Sequence, residues 1–261
     1  MLSSDQERIA VVLVRARNPS NIGAVARAMH DLGFADLRIV NEYPVPFAAA
    51  KSAVDASSVL DAAREFTSLA EAIADCTLVL GTTAVGERVL EHPLDVLPDA
   101  AVRAKRALSS HENARVALLF GSEKTGLSNE ELSYCHALVT IPMNTRTAER
   151  HLSMNLGQAV AICLYELVRG GGDGGGDGTL EPVSPDATTL IDNAVSGNRE
   201  RLTGLLQEVF ERTGYTRRHP ANARETNIRR LVHRMALTES DAAVWTGILR
   251  QILHTIGRAR P

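Results

Sequence analysis

In the stretch LLFGSEKTGLS, residues 118–128, an apolar run breaks into a glycine-bounded loop, and the loop gives way to a helix start. Val116 to Gly121 reads as a strand, Gly121 and Gly126 bracket Ser122, Glu123, Lys124 and Thr125, and Ser128 followed by Glu131 is a capping-box pattern. Strand, tight loop and helix in succession form the building unit of a parallel α/β sheet. The five-residue offset of the two glycines matches a phosphate-binding P-loop, but Leu127 stands where that motif requires lysine. A nucleotide triphosphatase is therefore disfavoured. No GxGxxG follows any strand, which removes the usual dinucleotide site. The loop either brings backbone close to a ligand or is a structural turn.

The same alternation extends in both directions. Strand-like runs at Ile9 to Val14, Leu37 to Val40, Leu78 to Gly81 and Leu138 to Ile141 alternate with helical patterns at Asn21 to Leu32, Leu69 to Ala74, Ser128 to Cys135 and Asn155 to Val168. The expected fold class is α/β, a mostly parallel sheet with helices on both faces, occupying residues 1–168. The helix at 155–168 is apolar nearly all round, the pattern of a helix buried against a sheet or a partner subunit. RGGGDGGGDGTLEPVSPD, residues 169–186, cannot bury a core and reads as a linker. From 187 to 261, apolar residues recur at helical spacing in three groups: Leu202 to Phe210, Ile228 to Met235, and Trp245 to Ile252. A small C-terminal domain of three helices follows from that.

With 261 residues, 44% hydrophobic and 23% charged, the chain has apolar material for one sizeable core and that appendage. Cys76, Cys135 and Cys163 form no CxxC pair and have no histidine cluster nearby, so neither a disulfide framework nor a metal site is expected. The polar start MLSSDQERIA and the lack of a membrane-length apolar run imply a cytoplasmic protein with no membrane partner. A net charge of −3 conceals an asymmetry, because residues 198–261 hold twelve Arg and six Asp or Glu. Every basic residue there is arginine, whose planar fork suits phosphate, so a polyanionic partner and a merely solvated helical surface stand as equal readings.

Two more polar segments follow predicted strands, and ligands of open α/β sheets bind outside the carboxyl ends of the strands. In NPSNIGAVARAM, Asn21 can cap a helix and Arg27 lies about a turn and a half further on, so both can address one anion; the alternative is a capped helix with a surface arginine. In HLSMNLGQAVAICLYEL, residues 151–167, Ser153 is a natural N-cap for a helix beginning near Met154. The triplet Thr82, Thr83, Ala84 after its strand is similarly ambiguous. Ser153 has only His151 in its neighbourhood, which makes a Ser/His hydrolase a weak alternative.

Taken together and in this order, NIGAVAR, FGSEKTGLS and SMNLGQAVAICLYEL resemble the three motifs of the SpoU branch of the SPOUT RNA methyltransferases, over about Ile9 to Val168. The resemblance implies an S-adenosyl-L-methionine-dependent RNA 2′-O-methyltransferase, a deep trefoil knot late in the catalytic domain, and a homodimer. It places the cofactor loops at Thr82, Thr83 and Ala84, at Gly121, Glu123 and Gly126, at Ile141, and at Leu152, Ser153 and Met154. The Arg-rich helical tail after a linker is similar to the arrangement in bacterial tRNA methyltransferases that act on the pyrimidine at position 32, the first nucleotide of the anticodon loop. In those relatives a small polar residue is common where Leu152 stands, which leaves Leu152 only backbone and apolar contacts to offer.

Methyl transfer requires the 2′-oxygen to be positioned and deprotonated. The resemblance assigns catalysis to Arg27, with Ser153 and Asn155 orienting the ribose or the knot loop. A guanidinium stays protonated at neutral pH, so a clamp on phosphate and developing alkoxide suits Arg27 better than the role of base. Glu123 is expected on backbone amides or on Arg27. Asn21, Arg27, Arg217, Arg218, Arg229 and Arg230 are the expected RNA contacts; Tyr215 either joins them or packs in the helical core. The competing readings are a ribosomal RNA or another tRNA position as target, and an inactive RNA-binding homologue, which the presence of Arg27, Glu123, Ser153 and Asn155 opposes.

Overall fold

The computed structural model describes residues 3–41, 56–84, 92–143, 154–169 and 193–258. Its centre is a parallel sheet of seven strands, β1 (Ile9–Val14), β2 (Asp36–Val40), β3 (Arg64–Phe66), β4 (Leu78–Thr82), β5 (Leu94–Val96), β6 (Val116–Phe120) and β7 (Ala137–Thr140), in the order β3-β2-β1-β6-β4-β7-β5. Around it lie α1 (Ser3–Gln6), α2 (Pro19–Leu32), α3 (Ser57–Asp61), α4 (Leu69–Ala72), α5 (Leu97–Ser110), α6 (Asn129–Leu132) and α7 (Leu156–Val168). Successive side chains of a strand point to opposite faces, and β1 shows the consequence. Ile9, Val11 and Leu13 join a core with α2, α5 and α7, while Ala10, Val12 and Val14 join a second core with α4 and α6. Every residue of β1 is buried, as expected of a strand covered on both sides.

The expected strands all form, and two short edge strands join them. β3 (REF) and β5 (LDV) are only three residues long and each carries charge, too short a run for any period to mark them. α5 also escapes sequence reading, because its buried stripe, Leu97, Ala100, Ala101, Ala104 and Leu108, is mostly alanine. α2 begins earlier than expected. Asn18, not Asn21, is its N-cap, with its side-chain oxygen accepting from the Ser20 N–H and Pro19 occupying the first turn. α7 likewise is capped by Asn155, whose Oδ1 accepts from the Gly157 N–H at 2.9 Å, rather than by Ser153.

The tail comprises α8 (Ser196–Arg212), the single turn α9 (Tyr215–Arg218), α10 (Glu225–Arg234) and α11 (Glu239–Arg258) around Leu202, Val232, Leu237, Ala242 and Leu249. It docks at the amino ends of β4 and β7. The Ser196 hydroxyl and N–H both donate to the Cys76 carbonyl at 2.8 Å, and the Gly197 N–H donates to Ala74. Of the expected linker 169–186, all but Arg169 lies outside the described residues, as do 187–192. No helix among the described residues is long and apolar enough to cross a membrane.

Candidate active site

The sheet order brings the three polar segments to one place. β1, β6, β4 and β7 are consecutive neighbours, so the loops leaving their carboxyl ends adjoin one another. From β1 the chain runs outward through β2 and β3 and then crosses to the other side of β1, where β4, β5, β6 and β7 lie, and such a reversal opens a crevice at the carboxyl edge. α2 leaves β1 and the Gly121–Gly126 loop leaves β6 on either side of that crevice.

A chain of amides joins them. Asn21 donates from Nδ2 to Glu123 Oε1 at 3.0 Å, and its own Oδ1 accepts from Asn155 Nδ2 at 3.1 Å, while Asn155 Oδ1 caps α7. Because Asn18 serves as the cap of α2, the Asn21 side chain is released for this bridge. Glu123 Oε1 also accepts, at 3.4 Å, from the backbone N–H of Asn18. Burial pushes the Glu123 carboxyl up, but the bonds from Asn21 and from nearby backbone outweigh it and hold the group below the usual carboxylate range, which suits a structural acceptor better than a general base. Of the two partners expected for Glu123, backbone and Arg27, the structure supplies the first. Arg27 is exposed and makes no hydrogen bond or ion pair among the described residues.

At the centre of the edge, the Thr82 hydroxyl donates to Leu119 at 2.8 Å and the Thr83 N–H donates to Val139 at 2.9 Å, so the end of β4 is tied to both neighbouring strands. Ile141 follows β7 and packs against the larger core. Gly121 proves necessary for a reason other than ligand approach. A Cβ there would lie 2.1 Å from the Gly126 carbonyl carbon and 2.2 Å from the Leu127 nitrogen, so the loop closes against its own backbone. Gly126 has φ +66 with open space beside it, and the Ser122 and Thr125 hydroxyls meet at 2.8 Å within the loop. Met154 lies half-buried just before α7; Leu152 and Ser153, with the whole of 144–153, fall outside the described residues.

The tail requires one correction. Arg229, expected on RNA, is 1% exposed: it donates to Glu200 through Nε and Nη2 at 2.8 Å, to the Ser133 hydroxyl at 2.9 Å and to the Tyr134 hydroxyl at 3.0 Å, contacts Glu225, and stacks on the Tyr134 ring. Its charge fastens the tail to α6 and is unavailable to phosphate. Arg217 and Arg218 are exposed, Arg230 is half-buried beside Asn227, and Tyr215 lies between Phe210 and His219 at ring distances of 4.7 Å. A second buried contact went unread in the sequence. Arg199 donates to the Thr77 carbonyl and abuts Nε2 of His136, whose Nδ1 accepts from Val79 and whose ring lies 4.6 Å from His233. Burial lowers both histidines, His233 to about 3 and His136 well below its ordinary value.

Residues 8–165, which span every loop just described, match the SpoU rRNA Methylase family. The chain belongs to the SpoU methylase family. Among SpoU relatives, tRNA (cytidine/uridine-2′-O-)-methyltransferase TrmJ of Sodalis glossinidius (strain morsitans) is 33% identical over 250 residues, 95% of this chain and 92% of the relative. TrmJ of Escherichia coli (strain K12) is 33% identical over 247 residues, 94% of this chain and 95% of that one. The crystal structure of TrmJ from Z. mobilis ZM4 matches with a TM-score of 0.74 and 29% identity over 93% of this chain and 98% of its own. A probable methylase family protein from Haemophilus influenzae Rd KW20 matches with a TM-score of 0.55 and 25% identity, covering 98% and 100%. The SpoU fold and the helical tail are thus both within the likeness.

Proposed function

We propose that this chain methylates the ribose 2′-hydroxyl of a tRNA pyrimidine, at position 32, using S-adenosyl-L-methionine, as a homodimer in the cytoplasm. The observation that carries the reading is the extent of the likeness. The family's description names ribosomal RNA but covers only 8–165, whereas the TrmJ relatives match over about 95% of the chain, tail included. Cofactor chemistry fits the carboxyl edge, where a glycine loop, the small polar residues Thr82 and Thr83, and the apolar Ile141 and Met154 surround three adjacent strand ends.

S-adenosyl-L-methionine supplies a sulfonium methyl when bound; the residues of the chain then position the acceptor. Arg27, exposed and with no partner among the described residues, takes a phosphate and the oxygen that gains charge as its proton leaves. The Asn155–Asn21 bond holds the starts of α2 and α7 in register and the Asn21–Glu123 bond ties them to the glycine loop, so that Arg27 projects from a fixed platform. Ser153 and Leu152 complete the cofactor side. Exposed Arg217 and Arg218, with half-buried Arg230, provide phosphate contacts outside the pocket, a sequence-independent and salt-sensitive grip. A nucleotide within a folded anticodon arm must be splayed out to reach the edge.

Mass mapping of ribose methylation in tRNA from a strain lacking the gene tests the proposal. Loss of the 2′-O-methyl group at position 32, restored by the wild-type gene, is the expected result; intact methylation there, with a loss in ribosomal RNA, would replace it.

A further inference from the structure

Arg15 occupies the position directly after β1, ahead of the helix that bears Asn21 and Arg27. Its φ is +58, a left-handed conformation that a non-glycine residue adopts only under constraint from its surroundings. Its N–H still continues the sheet by donating to Val40 at 2.9 Å, so the turn redirects the side chain without ending the pairing with β2. The guanidinium reaches across to the loop leaving β6. Nε and Nη2 donate to the two carboxylate oxygens of Glu131 at 2.6 and 2.9 Å, and Nη2 also donates to the Gly126 carbonyl at 3.0 Å.

Both acceptors belong to the loop's own framework. Gly126 closes the loop by donating its N–H to Ser122 at 2.8 Å, and it too has a left-handed φ. Glu131 completes the capping box that starts α6, accepting from the Ser128 N–H at 2.6 Å. One planar, bidentate group therefore bonds the last residue of the glycine loop and the first turn of the helix behind it, and anchors both to β1. Burial pushes the Glu131 carboxyl up, yet the bonds from Arg15 and Ser128 hold it below its usual range, so the pair is charged at neutral pH.

We infer that Arg15 is a positioning residue of the cofactor site: by fixing Gly126 and Glu131 it holds the Gly121–Gly126 loop in its cofactor-receiving shape before the cofactor arrives. The inference rests on the proposed cofactor reading of that loop. A loop ordered in advance spares binding the ordering cost, so losing the strut weakens cofactor affinity and leaves the reacting groups in place.

Titration calorimetry with S-adenosylmethionine on full-length protein, alongside thermal melts, tests this. Arg15→Gly deletes the guanidinium while relieving the left-handed backbone, so the variant folds with little loss of Tm. We expect its Kd to rise roughly tenfold to a hundredfold, the range for loss of hydrogen bonds to a charged group. KM for the cofactor should rise in parallel, with kcat at saturation within about twofold of wild type. Arg15→Lys, which keeps charge without the fork, should recover part of the affinity. Glu131→Gln keeps the capping box but loses the ion pair, and combining it with Arg15→Gly should be no worse than Arg15→Gly alone. Wild-type affinity in Arg15→Gly, additive effects in the double variant, or a fall in kcat with KM unchanged would each overturn the inference. Wild-type protein that fails to bind the cofactor would instead overturn the reading of the loop, and the inference with it.

Discussion

At the carboxyl edge of the sheet Arg27 faces solvent and Glu123 rests on amides, whereas at the amino edge, where the tail docks, Arg229 is buried and spent on carboxylates. Arg27 has no partner among the described residues; Arg229 is enclosed by two carboxylates, two hydroxyls and an aromatic ring. An arginine held in readiness is available to a substrate, and an arginine already paired is architecture. Counting arginines in a tail does not separate the two, because the difference lies in what the fold places around each.

The largest expected effect is at the amino edge. Arg229→Met leaves Glu200 and Glu225 without their counter-charge and the Ser133 and Tyr134 hydroxyls without their donor; because the two carboxylates keep 28% and 51% of their side-chain surface, the cost falls short of the about 3 to 5 kcal/mol of a fully buried pair. The melt should show it, with rapid protease cutting in the tail and near-normal cofactor affinity; an unchanged Tm would mean that the pair holds nothing. Arg27→Ala reverses the pattern. Turnover should fall on the order of a hundredfold to a thousandfold with Tm and cofactor affinity unmoved. Mixing that inactive chain with an inactive cofactor-loop variant should restore activity if Arg27 serves the partner's pocket, and heterodimers verified by mass spectrometry yet inactive would place the whole site in one subunit.

Lowering the pH separates the two edges next. His136 and His233 are neutral in the fold because burial depresses them, while unfolded histidine titrates near 6.5, so the unfolded state binds more protons as pH falls. Their contribution is intact above that value and weakens by about 1.4 kcal/mol per pH unit for each ring on going down towards 3. Glu123 and Glu131, both held below their ordinary range, do not titrate in the upper part of this window. Between pH 7.5 and 5.5 hydrogen exchange should therefore speed up in α8 and α10 and not in the glycine loop; equal acceleration in both would remove the distinction. The smallest effect compares two glycines of one loop. Gly126→Ala adds only left-handed strain, about 1 to 2 kcal/mol, whereas Gly121→Ala must displace backbone. Cofactor titration should thus find Gly126→Ala weakened and Gly121→Ala without binding, and the reverse order would mean that the loop rearranges.

Much of the centre of the sheet was legible in the sequence because its strands are buried on both faces and read as unbroken apolar runs, as IAVVLV does at β1. The edges were not. Strands of three residues are too short for a period to be detected, and their pairing partners supply what their own side chains lack. Within the candidate site, that three motifs share the carboxyl edge could be anticipated because each follows a strand of an open α/β sheet, but the division of labour between Asn18 and Asn21 could not. It depends on Pro19 starting the helix early, which frees one asparagine by employing another. Arg229 was misread for a related reason: its helix presents Ile228, Arg229 and Val232 inward, and an arginine beside two core residues belongs to the core face once acidic partners meet it there.

The docking of the tail at the amino ends of β4 and β7 gives the molecule a built-in gauge. A five-residue strand spans roughly 16 Å at about 3.3 Å per residue, which is about five base steps of stacked duplex at 3.4 Å each. On the proposed function, an RNA that touches both the docked end of the tail and the crevice of one protomer spans at least that depth of sheet.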